Sequence, residues 1–333
     1  MKLVSIFLLC ALSAPGHTEK SIPDSDRVRI AEAFRIADSV GETVWPGLGE
    51  APFTVLLVTP ETEFLIGHPY PTADFDSLGY DSFLDGNVYS RKRVFNTNVL
   101  ASFPAVAGVP TVVIGQPKNT EASHSTRWVM TLLHEHFHQW QQSQPDYYAS
   151  VDSLGLARGD TTGMWMLEYP FPYDSTTVND AFSVMCRRLG EVLEGLDSAE
   201  FRHRLKAYLE TKKQFKKILA RDDYAYFSFQ VWQEGIARYT EYQVAKMAAA
   251  VYEPTEDFRG LADYVPFARV ATEIREHVAT ELMRVSLKKA RRSAFYHVGA
   301  AEGIVLDRAN SGWRRYYFES KFSTDKYFGL PSD

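Results

Sequence analysis

Leu132-Leu133-His134-Glu135-His136-Phe137-His138-Gln139-Trp140 is the stretch around which the rest of the chain is read. Val129, Met130, Leu133, Phe137 and Trp140 make residues 126–141 a strongly apolar segment, so it reads as a buried helix. On a helix, residues i and i+4 lie one turn apart on the same face. His134 and His138 can therefore aim two imidazoles at a single ion. Glu135 stands beside them, placed to take a proton from a water without ligating the ion itself. His136 points to the opposite side and is read as non-ligating. Two buried imidazoles next to a buried carboxylate need a partner. Zn2+ suits this H-E-x-x-H spacing; the plainer alternative is a core helix whose histidines are merely hydrogen-bonded.

Upstream of this helix the pattern changes. Residues 27–40 carry Val28, Ile30, Ala31, Phe34 and Ile36 mostly along one stripe, a helix with Asp24 or Ser25 as its cap. Residues 53–58 form a buried-strand run, 63–66 pair with them across a turn near Pro60, and 110–114 form a third strand. Residues 74–85, rich in Gly, Asp and Ser, read as a loop. Downstream, helical periodicity runs to about Tyr317, broken at 155–163, 170–175, 222–223 and Pro254. The expected fold class is α+β: a small N-terminal β-sheet portion over residues 20–120, then a predominantly helical portion over 121–333.

A length of 333 residues allows one large domain or two apposed subdomains, and a formal charge of −6 excludes a general nucleic-acid binder. Two basic runs, Lys212, Lys213, Lys216 and Lys217, and Lys288, Lys289, Arg291 and Arg292, read as solvated helix faces. Residues 1–16 read as a signal peptide. Lys2 supplies the positive end, 3–12 is an apolar run too short to span a bilayer, and Ala11-Leu12-Ser13 or Ala14-Pro15-Gly16 offers the cut. Leu9 stands where a lipoprotein signal needs a small residue before Cys10. The expectation is an exported, periplasmic or extracellular protein without stable membrane insertion. Cys186 is then the sole thiol, read as a buried small hydrophobe.

A catalytic zinc takes a third protein ligand and leaves one position open. A third histidine six residues on is absent, because Gln141 and Gln144 stand where Gly and His are needed. Two downstream carboxylates compete for the place. Glu234 lies in Val231-Trp232-Gln233-Glu234-Gly235-Ile236-Ala237-Arg238-Tyr239-Thr240-Glu241. Glu168 precedes an aromatic loop of Tyr169, Phe171 and Tyr173 that either lines a cleft or plugs the core.

In order, His134-Glu135-x-x-His138-Gln139-Trp140, then Glu234-Gly235-x-Ala237-x-Tyr239-x-Glu241, then Tyr296-His297-Val298-Gly299-Ala300, the chain resembles the aminopeptidase-N-like gluzincin zinc metallopeptidases of the MA clan. The resemblance implies a thermolysin-like catalytic domain with His134, His138 and Glu234 as zinc ligands. It makes Glu135 the general base and Tyr296 the donor to the tetrahedral oxyanion, with adjacent His297 as a substitute donor. Glu241, two turns from Glu234 on the same face, becomes an acceptor that orients a ligand histidine. The implied activity is hydrolysis of peptide bonds in a peptide or protein substrate by zinc-activated water. Two other readings stay open: a non-catalytic peptide- or protein-binding protein on the same scaffold, and a zinc hydrolase of a non-peptide amide or ester. The chain departs from the family in two places. Glu234 follows His138 by 96 residues, so about 145–220 is expected to leave the site and return as an inserted helical segment. The G-x-M-E-N exopeptidase segment is absent, and residues 109–115 stand in its place, with the 110–115 strand expected as a sheet edge for an extended peptide.

Overall fold

Strand β1 (Val55–Val58) is buried at every position and pairs antiparallel with β2 (Thr62–Ile66), Val58 facing Glu63 across the turn at Pro60. The computed structural model describes residues 21–122 and 124–330, so the expected signal peptide lies outside the described residues. Four further strands, β3 (Asp76–Asp81), β4 (Gly86–Lys92), β5 (Leu100–Val106) and β6 (Val109–Gly115), complete a mixed sheet of order β3-β4-β2-β1-β6-β5. The β1–β6 pair is parallel and the other pairs are antiparallel. Side chains alternate between faces, as the pleat requires. Val55, Leu57, Phe64, Ile66, Val112 and Ile114 meet the helices, while Leu56, Val58, Leu65 and Val113 close a smaller apolar cluster with Phe75 and Val106.

Two expectations for this sheet are corrected. Residues 74–85 are not a loop throughout, because 76–81 form edge strand β3, exposed along nearly all its length. With both faces wet there is no apolar alternation to read. The strand at 110–115, expected at the edge, lies between β1 and β5, which makes β5 the free edge on that side of the sheet. Pro104 in β5 fits that place, since proline cannot donate to a ladder on both sides.

Helix α1 (Asp24–Val44) starts one residue after Pro23, which makes no side-chain cap. α2 (Ser125–Ser143) lies against β5 and β6. The short helices α3 (Tyr147–Ser153) and α4 (Trp165–Glu168) precede the long α5 (Thr176–Glu194), α6 (Phe201–Ile218) and α7 (Arg221–Gln230). After a π-type turn at Val231–Gly235 come α8 (Ile236–Val251), α9 (Glu256–Arg259), α10 (Phe267–Arg284), α11 (Leu287–Ala290) and α12 (Ser293–Ala309). α8 packs against α1, α2, α10 and α12, so it is the hub of the helical layer. The fold is α+β, and one apolar core runs from α1 to the C-terminal segment. Trp45, just after α1, is buried in it and donates Nε1–H to Thr240 Oγ1 of α8 at 2.9 Å.

The basic run at 212–217 is not wholly solvated. Lys212 is 2% exposed, with Nζ 2.6 Å from Glu302 Oε1 and 2.8 Å from Asp325 Oδ1. Desolvating an ammonium is costly unless it is paired, and here two carboxylates pair it. Tyr169, Phe171 and Tyr173 are buried and pack on Tyr226 and Phe295, as a plug. Among the described residues no helix is long and apolar enough to cross a membrane, and Cys186 is a buried free thiol.

Candidate metal centre

α2 is fixed first at its start. The His124 side chain accepts from the Arg127 backbone N–H at 3.1 Å, satisfying one of the helix's open donors. Its sheet-side face is pinned by His136 and Gln139. The His136 ring stacks on Phe53 with centroids 3.9 Å apart, and its Nδ1 is 3.0 Å from Gln139 Oε1. Gln139 Nε2 donates onward to the backbone carbonyls of Thr54 (2.8 Å) and Pro110 (3.0 Å). Burial pushes the His136 imidazole down to about 4, so it stays neutral. With that face held by the sheet, His134 and His138 project the other way.

Glu234 comes from the π-type turn between α7 and α8. Such a turn inserts an extra residue into the helical ladder and re-aims the side chains around it, a frequent device at functional sites. What brings α12 alongside is a pair of glycines. A Cβ added to Gly235 would sit 2.5 Å from Gly299 Cα, and one added to Gly299 would strike the Val231 carbonyl oxygen. The two backbones therefore touch only because neither residue has a side chain. Tyr296, nearly one turn before Gly299, is thereby set facing the Glu234 carboxylate.

The three donor groups converge. One ligand atom each from His134, His138 and Glu234 lies within 4.8 Å of the others. The two Nε2 atoms are 3.2 Å apart, and Glu234 Oε2 is 3.4 Å from His138 Nε2 and 3.7 Å from His134 Nε2. A tetrahedral zinc with bonds of roughly 2.0–2.1 Å sets its ligand atoms about 3.3 Å apart. The observed spacing fits such an ion. So does the arrangement of the other ring nitrogens. His138 Nδ1 is 2.7 Å from Gln141 Oε1, and Gln141 Nε2 donates to the Gln233 carbonyl and to Tyr317 Oη, so the amide orientation is fixed. The proton of His138 therefore sits on Nδ1 and its Nε2 lone pair faces the triad. His134 Nδ1 lies 2.7 Å from Glu241 Oε1, a close electrostatic contact rather than an aligned hydrogen bond.

Glu241 is buried and charged. Burial favours its neutral form, but Arg127 (Nη2 at 2.9 Å) and Arg238 (Nη1 at 2.9 Å) outweigh that and hold its carboxyl well below the usual range. At His134 burial favours the neutral ring, yet Glu234 and Glu241 prevail and raise it to about 9. Burial also raises Glu135, with His138 and His134 opposing. Tyr296 is pushed far up by burial and by Glu234, against the pull of Arg292, so its phenol keeps its proton.

The remaining candidates lie elsewhere. Glu168 is exposed at the end of α4 and is not part of the cluster. His297 meets the His277 ring of α10 edge-on, with centroids 5.1 Å apart. Three residues around the centre carry no site reading in the sequence, Gln141, Arg127 and Arg238; a fourth, Arg292, corrects one, because it is read there as part of a solvated helix face but is partly buried and donates to Tyr296 Oη. Gln141 stands one helical turn from His138, and Arg238 one turn before Glu241, so helical spacing was the available signal. No protein-family model, curated protein or solved structure matches the chain.

Proposed function

We propose that the chain is an exported zinc-dependent peptidase of gluzincin type, with His134, His138 and Glu234 holding the metal. The observation that carries this reading is the triad itself, at tetrahedral spacing, with a hydrogen-bonded or carboxylate-contacted Nδ1 behind each ligand histidine. Carboxylate and amide partners behind ligand histidines are what metal sites use to fix the ring and its tautomer. A zinc ion there supplies Lewis-acid chemistry, polarising a carbonyl and acidifying a water.

The other roles belong to the chain. Glu135, buried next to both ligand histidines with its carboxyl raised, is suited to take a proton from the attacking water and pass it to the leaving amine. Tyr296 brings a neutral phenol to the site, able to donate to the oxygen that becomes negative in the tetrahedral state. A peptide substrate is favoured by β5, whose free edge runs beside α2 and offers backbone groups to an extended chain.

The test is cleavage profiling of a mixed peptide library, with metal content measured by mass spectrometry in the same samples. One zinc per chain and cleavage abolished by a chelator is the expected outcome. Zinc without cleavage contradicts the peptidase reading, and absence of zinc contradicts the site.

A further inference from the structure

Arg292 lies four residues before Tyr296, hence on the same face of α12. The backbone just before it is unusual. Arg291, between α11 and α12, has φ 50° and ψ −132°, a conformation costly for a residue with a Cβ. The Arg291 guanidinium is anchored over the Tyr173 ring, 4.5 Å from its centroid. This turn sends Arg292 inward. Its Nη1 donates to Tyr296 Oη, and its guanidinium shares its surroundings with Glu234 and Tyr226. Burial opposes the charge, and Tyr296 and Glu234 uphold it.

Arg292 lacks a carboxylate of its own. Among the described residues none approaches it within the 4.0 Å of an ion pair, whereas Arg127 and Arg238 each pair with Glu241. A guanidinium carries five donors, and Tyr296 uses one. The Glu234 charge that Arg292 feels is committed to the metal once an ion is bound. A partly buried cation with open donors then calls for an anion.

We infer that Arg292 forms an anion subsite beside the metal centre, which receives a carboxylate of the substrate and makes the enzyme selective for peptides bearing an acidic group close to the scissile bond. The inference rests on the peptidase reading and narrows it to a substrate class. The planar fork of the guanidinium matches a carboxylate through two parallel hydrogen bonds. The group is either the C-terminal carboxylate of a short peptide or an Asp or Glu side chain, and the two sources are separable by experiment.

The zinc-loaded full chain is titrated calorimetrically with two hydroxamates of nearly equal shape, succinic acid monohydroxamate and its neutral carboxamide counterpart. Hydrogen bonds to a charged partner predict that the acid binds about 10- to 100-fold more tightly. Arg292→Gln should erase the difference and Arg292→Lys keep part of it. Equal affinity in the unaltered protein, or no binding of either compound, overturns the subsite, and this comparison stands even where Arg292→Gln does not fold. Three matched peptides then give kcat/KM ratios: one with a free C-terminal carboxylate, one amidated but carrying Asp, and one with no acidic group. Preference for the first or the second identifies the source of the carboxylate. Cleavage of all three at equal rates sinks the subsite and leaves the peptidase reading intact. Selective hydroxamate binding without any cleavage does the reverse.

Discussion

Glu241 holds a charge in the interior because two arginines face it, and it spends that charge on His134. Replacing it by Gln removes the anion behind the ligand and leaves Arg127 and Arg238 without their partner. Losses of this kind typically weaken metal binding by about 10- to 100-fold. A competition titration of Glu241→Gln against a zinc chelator should find a loss in that range; unchanged affinity would mean that the contact does not tune the metal. His297 makes a separate prediction about pH. Burial and the neighbouring His277 and Arg238 push it down to about 3, against about 6.5 in an unfolded chain. Between those values the unfolded chain binds the extra proton, so stability falls as pH drops through about 6.5 and is fully present above it. Denaturant melts from pH 7 to 4 should be less pH-dependent for His297→Leu than for the unaltered chain. At this scale the sequence was informative where a motif concentrates chemistry, as at His134, Glu135 and His138. It was silent on Gln141 and put Arg292 on a solvated face, because the significance of both comes from the particular atoms they face.

Elements meet at this centre through backbone contact. Gly235 and Gly299 let the π-type turn and α12 touch, and that contact sets Tyr296 against Glu234. Gly299→Ala puts a methyl group against the Val231 carbonyl, and overpacking of this kind costs about 1–3 kcal/mol. Thermal unfolding of this variant should show a lower midpoint, and its zinc affinity should fall with it as Glu234 is displaced. A fully stable, fully zinc-competent Gly299→Ala would show that the crossing has slack. The helices were legible from their apolar stripes, and so were β1, β2 and β6, which carry continuous buried runs. β3, β4 and β5 were not, because strands exposed or half-exposed along most of their length carry no continuous apolar run. The π-type turn is equally invisible in sequence, since it changes hydrogen bonding without changing composition.

Across the whole molecule, the long path from His138 to Glu234 is closed by packing of α5 onto α10 and α12 and by a buried ion cluster. Lys212 of α6 meets Glu302 of α12 and Asp325 near the C-terminal end, and Tyr208 and Thr324 also hydrogen-bond Glu302. Lys212→Ala leaves two buried carboxylates uncompensated, a change that typically costs about 3–5 kcal/mol. Equilibrium denaturation should register that loss; a shift below about 1 kcal/mol would mean that the carboxylates take up protons or water cheaply. The chemistry of the centre, however, turns on Glu135. Its replacement by Gln preserves shape and leaves all three ligands in place but removes the proton acceptor. The decisive measurement is the single-turnover rate of peptide cleavage by the unaltered chain and by Glu135→Gln, with zinc content verified equal in both. A Glu135 general base gives measurable cleavage by the first and a loss of at least about 100-fold in the second. Equal rates in the two proteins would contradict it.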